Sequence, residues 1–328
     1  MSPPADTEHR VAQHYARSDL EHTILEALVA SGKDIERLTP DDLSLVDEFH
    51  TGGRQATVEL ATQTGFGPTM QILDIGCGIG GPSRYFVAAR GCRVTGIDLT
   101  GDYVHTAEAL AKRVGLAERV AYRQASALAL PFKAATFDGA YMMHVGMNIE
   151  DKLALFAEVR RVLKAESLFA IYDVMRTGEG ELRHPLHWAA TPETSFVDGL
   201  PLYRLALDAS GFEVVKKRNR REFAREAFRE AQACAATGTG PAPLGIHILM
   251  KADVAQKLAN VVSNLEQGLS RRSSLSAAHD SNSGPGRPYE RIDLRASLPL
   301  QSSSCRYQGG LRSTGVSAHA QCRRISMP

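Results

Sequence analysis

Three shortages in the sequence each close off a class of protein. Its longest apolar stretches, such as Ser167-Leu168-Phe169-Ala170-Ile171-Tyr172, fall far short of the roughly 18 to 20 residues that a membrane-crossing helix needs, so no membrane span is expected. Its five cysteines (Cys77, Cys92, Cys234, Cys305, Cys322) lack CxxC or Cys/His spacing, which argues against a disulfide framework and against a metal site. Its formal net charge of +1 gives no overall pull toward nucleic acid or lipid. Met1–Glu8 offers neither a basic start nor an apolar core, so no secretory leader is expected and a reducing cytoplasm is the default location. What remains, 328 residues with 43% hydrophobic and 23% charged, has the composition of a globular protein long enough to bury a full core.

Charge and pattern divide the chain into three. Residues 1–65 read as an N-terminal helical lid segment, with Leu20, Ile24, Leu25, Leu28 and Val29 at helical spacing and a further helix expected after Pro40. Residues 66–268 alternate strands with helices. Strands are expected at Gln71–Ile75, Arg93–Ile97, Val120–Arg123, Phe137–Met142 and Leu168–Asp173, with weaker ones at Phe212–Lys216 and Gly245–Met250. Repeated units of this kind imply an α/β fold, a Rossmann-like, doubly wound, mostly parallel seven-stranded sheet with helices on both faces and ligands at the strands' carboxyl ends. Residues 269–328 are rich in Ser and Arg and carry no Lys. They read as a disordered tail dispensable for folding, with a basic interaction arm or a stretch outside its native reading frame as the alternatives.

The segment Leu73-Asp74-Ile75-Gly76-Cys77-Gly78-Ile79-Gly80-Gly81-Pro82 carries the chemistry. A strand runs into a glycine loop and then a helix, which lets backbone approach a ligand closely. Gly76, Gly78 and Gly81 satisfy GxGxxG, so a dinucleotide and an NAD(P)-linked oxidoreductase come into view. Asp74 weighs against them, because a carboxylate beside the loop repels a pyrophosphate and suits a cationic ligand without phosphate, such as S-adenosyl-L-methionine. Asp98, twenty residues after Gly78, stands where an acid accepts hydrogen bonds from both ribose hydroxyls.

With these residues in place, the chain resembles the class I S-adenosylmethionine-dependent methyltransferases of the type 11 kind over about residues 10–268. Asp74–Gly81 is similar to that family's first motif and Val94–Thr100 to its second-strand motif. The segments Leu38–Leu43, Asp47–Thr57 and His144–Ile149 are similar to the small-molecule branch that holds the sarcosine/dimethylglycine N-methyltransferases; quinone C-methyltransferases are more distant. The resemblance implies S-adenosyl-L-methionine as cofactor, bound by Asp74, Gly76, Cys77, Gly78, Gly80, Asp98, Leu99, Ser126, Ala127 and His144, with Arg54 on the methionyl carboxylate and Tyr15 as a lid. It implies a small-molecule acceptor, an amine nitrogen first and a quinone-like carbon or oxygen second. Nucleic acid is not expected, since β-strand four ends in Met142-Met143-His144-Val145 rather than the Pro-Pro-aromatic loop that grips a flipped base.

Three departures from the family pattern stand out. Ala125-Ser126-Ala127 replaces a Gly-Asp-Ala whose Asp accepts the adenine amino group, Lys164–Ser167 replaces a Pro-Gly-Gly turn, and Ser195–Pro201 lacks the usual Thr-Pro helix start. The first two motivate the non-enzymatic alternative, a degenerate methyltransferase fold that serves as a binding or partner module.

Methyl transfer from a sulfonium is an in-line displacement, so the protein must aim a lone pair at the methyl and exclude water. His144, directly after the fourth strand, is the first candidate for the base or contact there, and His50 beside Gly52-Gly53 the second. Tyr172 and Trp188 are candidates to face a cationic amine, with core packing as the alternative for each.

Overall fold

All five main apolar runs become strands of one sheet. The computed structural model describes residues 3–236, 243–250 and 253–278, which lie within one compact unit, 1–283. In it β1 (Gln71–Ile75), β2 (Arg93–Asp98), β3 (Val120–Gln124), β4 (Phe137–Met143) and β5 (Leu163–Arg176) pair in parallel. β6 (Glu213–Asn219) and β7 (Ser270–Ala278) complete the order β3-β2-β1-β4-β5-β7-β6, with β7 antiparallel to both neighbours. The chain winds outward from β1 through β2 and β3, then returns to place β4 on the other side of β1. That reversal opens a crevice at the carboxyl ends of β1 and β4, where open α/β sheets bind ligands.

Helices cover both faces because each strand alternates apolar residues to two sides. α1 (Pro3–Tyr15), α2 (Leu20–Ala30) and α3 (Gly53–Thr64) precede the sheet, and α4 (Gly81–Arg90) and α5 (Gly101–Arg113) follow β1 and β2. Phe86 of α4, Val104 and Ala107 of α5 and Leu60 of α3 pack with Ile72, Val94 and Tyr141 on one face. On the other, Leu155, Phe156 and Val159 of α6 (Lys152–Val162) and Tyr203 and Leu207 of α7 (Leu200–Ala209) pack with Leu73, Ile75, Phe169 and Ile171. α8 (Arg221–Ala236) and α9 (Val254–Glu266) lie between β6 and β7 in sequence.

Three sequence readings are corrected. The Gly245–Met250 run is a 3-10 turn over Ile246–Ile248; Leu244, Ile248 and Leu249 pack against Leu20, Ile24, Leu28 and Tyr103 instead of joining the sheet. The seventh strand comes from the supposed tail, Ser270–Ala278. Its backbone is paired on both edges, and Leu275 and Ala277 are buried in the core, so burial and ladder hydrogen bonds outweigh its polar composition. The remainder of the tail, 279–328, is outside the described residues. Finally, the stretch after Pro40 is a run of turns, not a helix, and Asp42 is spent accepting hydrogen bonds from Thr39 and Lys33.

Lys164–Ser167, expected as a turn before the fifth strand, is built into the start of β5, yet its backbone still departs from extended geometry. Glu166 occupies the left-handed region at φ 57°, a conformation that costs a side-chain-bearing residue more than glycine. α7 still begins without a Thr-Pro start, using Gly199 and Pro201 in its first turn.

Candidate active site

The glycine loop forms because β1 must end abruptly for α4 to return along the sheet. Gly76 (φ 69°) passes so close to Val145 that an added Cβ would lie 2.3 Å from it, whereas a Cβ on Gly78 (φ 54°) would meet nothing within 4 Å. Gly78 therefore borders open space, a cavity of about 420 Å³. Gly80 is excluded from the cavity lining and instead gives room to Tyr122, whose hydroxyl would sit 2.3 Å from a Cβ there.

Two acids frame the loop. Asp74 is 2% exposed and accepts hydrogen bonds from Ser83 Oγ at 2.6 Å and Tyr141 Oη at 2.8 Å; burial pushes its carboxyl up to about 7 despite them. Asp98, at the end of β2, accepts from the backbone N–H of Gly78 and of Thr100, each at 2.9 Å, and burial raises its carboxyl as well. Next to it the buried Tyr103 hydroxyl has no hydrogen-bond partner among the described residues, and Tyr103 lines the cavity. Such a group calls for a polar partner from a ligand. Cys77, Leu99 and Ala127 also line this end.

The other end gathers histidines. His144 follows β4 in a left-handed conformation (φ 56°) and His50 packs its ring 6.1 Å away; both line the cavity. His50 Nε2 lies 3.0 Å from Thr57 Oγ1, which donates to Glu48 at 2.6 Å, and burial lowers the His50 imidazole to about 3, so it is neutral. Phe49, Met143, Met147 and His187 add apolar and aromatic wall. Among the described residues, no Lys or Arg lines the cavity.

Several expected site residues stand elsewhere. Arg54 is not on the cavity: its guanidinium pairs with Glu48 at 3.1 Å, donates to the Pro40 carbonyl and stacks on Tyr85. Tyr172 lies behind the histidines, its hydroxyl donating to the Thr51 carbonyl at 3.0 Å and its ring 5.1 Å from that of His144. Trp188 is buried, its Nε1 donating to Ser195 Oγ at 3.0 Å, and backs His187 rather than the cavity. Ser126 is also outside the lining; its hydroxyl donates to the Glu8 carboxylate.

The roof was missed, apart from Tyr15 and His50. Glu8, Val11 and Tyr15 of α1 all line the cavity, at spacings of three and four that put them on one helix face. That periodicity was the available signal. α1 is held down by Tyr15 Oη donating to Asn148 Oδ1 at 2.9 Å and by contact of His14 Nε2 with the His187 carbonyl at 3.0 Å. Asp47 reaches the site from the turn region and forms a fully buried pair with Arg84 of α4 at 2.8 Å. His187 and Leu249 come from remote loops.

A seven-stranded, Rossmann-like sheet with a cavity at its switch point is the arrangement of the methyltransferase fold. Residues 73–171 match the family model described as "Methyltransferase domain". Among curated proteins, the chain is 29% identical to the sterol 24-C-methyltransferase of Eremothecium gossypii over 167 residues, 49% of this chain and 45% of that protein. The chain thus spans less than half the length of that relative. Among solved structures, geranyl diphosphate C-methyltransferase from Streptomyces coelicolor A3(2) superposes with a TM-score of 0.62 at 16% identity, covering 85% of this chain and 100% of the other. Phosphoethanolamine N-methyltransferase 2 from Haemonchus contortus gives 0.62 at 18%, covering 71% and 54%. These identities establish the fold. Carbon and nitrogen methyltransferases stand together in these comparisons, so the sarcosine/dimethylglycine branch is not selected. Among the described residues, no helix is long and apolar enough to cross a membrane.

Proposed function

We propose that the chain is an S-adenosyl-L-methionine-dependent methyltransferase acting on a small, uncharged, largely apolar acceptor. The observation that carries this reading is a single cavity lined at one end by Asp74, Gly78 and Asp98 and at the other by His50, His144 and Phe49. The solved neighbour from Haemonchus contortus is described with S-adenosyl-L-methionine bound, and the residues here fit that group. Gly78 leaves room for it, Asp98 keeps lone pairs for the ribose hydroxyls, Tyr103 brings an unused hydroxyl, and Asp74 offers negative charge to its cationic end. With Arg54 engaged elsewhere, no side-chain cation among the described residues lines the cavity to meet its carboxylate. When bound, the cofactor supplies an electrophilic methyl on a sulfonium.

This chain's own part is positioning, dehydration and hydrogen bonding. Met143, Met147 and Phe49 exclude water, and the neutral His50 adds no charge beside the sulfonium, with His144 lining the same end. The absence of Lys or Arg from the lining, among the described residues, weighs against an acceptor bearing carboxylate or phosphate. A sterol- or terpenoid-like acceptor methylated at carbon fits, and the sterol methyltransferase likeness supports that class. The amine acceptor is the second reading, favoured by the exposed carboxylates Glu150 and Asp151 at the rim. Calorimetry with S-adenosyl-L-methionine, followed by transfer of a labelled methyl to a panel of sterols, terpenoids, quinols and amines, tests both. Binding with label appearing in a neutral apolar acceptor is expected; no cofactor binding removes the proposal.

A further inference from the structure

The family resemblance gives adenine recognition to a carboxylate in the turn after β3, and this chain has Ser126 there. The structure nevertheless holds a carboxylate at that place, from a different element. Glu8 of α1 lines the cavity and is half-buried. Ser126 Oγ accepts the Leu128 N–H at 3.0 Å and gives its proton to Glu8 Oε1. A serine hydroxyl has one proton, so Ser126 orients Glu8 and is no longer free to donate to a ligand.

The position is that of the base. β3 lies outside β2 in the sheet, on the side of Asp98 away from His144. With the ribose on Asp98 and the reacting end toward β4, the purine falls among Ala125, Ala127, Leu128, Leu99 and Val11, all in the cavity wall. Glu8 sits one helical turn before Val11 on the same face of α1. The other acids on this wall, Glu150 and Asp151, are exposed at the rim, and Asp151 is spent capping α6 through the Ala154 N–H at 2.8 Å.

We infer that Glu8 accepts the 6-amino group of the cofactor's adenine, with Ser126 as its positioning residue. This rests on the cofactor reading above. The N-terminal helix, held down by Tyr15 and His14, then reads the base. A lone carboxylate after β3 would be redundant and repelled by Glu8, so restoring it without removing Glu8 gains nothing.

The test measures affinity for S-adenosylhomocysteine and for its analogue with hydrogen in place of the 6-amino group, in the full-length chain. Wild type should prefer the adenine compound by about tenfold or more, the size of a charge-assisted hydrogen bond. Glu8→Gln should weaken S-adenosylhomocysteine by about tenfold while changing the analogue by less than about twofold. Ser126→Asp alone should fail to strengthen binding, and Ser126→Asp combined with Glu8→Gln should recover most of the preference. An unchanged preference in Glu8→Gln, or tighter binding from Ser126→Asp alone, overturns the assignment of Glu8. A wild-type chain that binds neither compound overturns the cofactor reading itself. Because the two compounds differ by one amino group, a variant that merely misfolds loses both equally, which also counts against Glu8.

Discussion

The floor and the roof of the cavity are built by different means. The floor, Asp74, Gly76, Cys77, Gly78, Asp98 and Leu99, comes from two adjacent, paired strand ends, with the loop tied to β2 by the Cys77 N–H on the Ile97 carbonyl and the Gly78 N–H on Asp98. The roof comes from α1, the Asp47–His50 turn, His187 and Leu249, four pieces far apart in sequence. Floor geometry follows from backbone pairing, while roof geometry depends on a few docking contacts. The roof can therefore change its chemistry, as Glu8 and Ser126 suggest, without disturbing the sheet.

The largest expected effect separates roof from floor outright. Arg84 and Asp47 are both at most 1% exposed, and removing one partner of a buried pair costs about 3 to 5 kcal/mol. Arg84→Met should lower unfolding free energy by that amount in denaturant titrations; a change under about 1 kcal/mol would mean that the roof is held by other contacts. Asp98→Ala acts on the floor and should weaken cofactor binding by about 1 to 3 kcal/mol. Unchanged calorimetric affinity would remove Asp98 from the ligand.

Asp74 gives a pH signature to the floor alone. Its folded carboxyl is near 7 against an ordinary 3.8, so the ligand-free fold has this contribution in full below about pH 4 and loses it as pH rises toward 7. A cationic ligand favours the ionised form, so binding releases a proton and affinity should rise about tenfold from pH 6 to pH 8. Affinity flat across that window, with no dependence of the binding heat on buffer ionisation, would separate Asp74 from the cation. The smallest effect belongs to the roof: Tyr15→Phe deletes the bond to Asn148 and should weaken ligand binding by about 1 kcal/mol or less, while leaving the melting temperature within a few degrees. A tenfold or greater loss would promote Tyr15 to a direct contact.

Legibility followed the same division. β1 to β5 and the glycine loop were readable because apolar runs, turn glycines and the Gly78–Asp98 spacing are local features. Ten of the fifteen expected site residues line the cavity, and three of the five outside it share a cause. Arg54, Tyr172 and Trp188 have chemistry suited to a site, but their partners Glu48, Thr51 and Ser195 could be known only from tertiary packing. Gly245–Met250 misled because a short apolar run reads alike as strand or buried turn. β7 was hidden by composition, with Leu275 its one large apolar side chain in the core.

That polar strand has a consequence for the order in which the protein can be completed. Among the described residues β6 pairs in the sheet with β7 alone, and β5 offers β7 nine paired positions along its edge. During synthesis both edges exist before Ser270 has been made, so the nascent chain carries two unpaired strand edges, one of them flanking the core. Such edges recruit other chains. The late arrival of a Ser- and Arg-rich segment closes them. Its polarity keeps the segment itself from aggregating while it waits, so the composition that disguises this strand also suits it to be inserted after both of its neighbours.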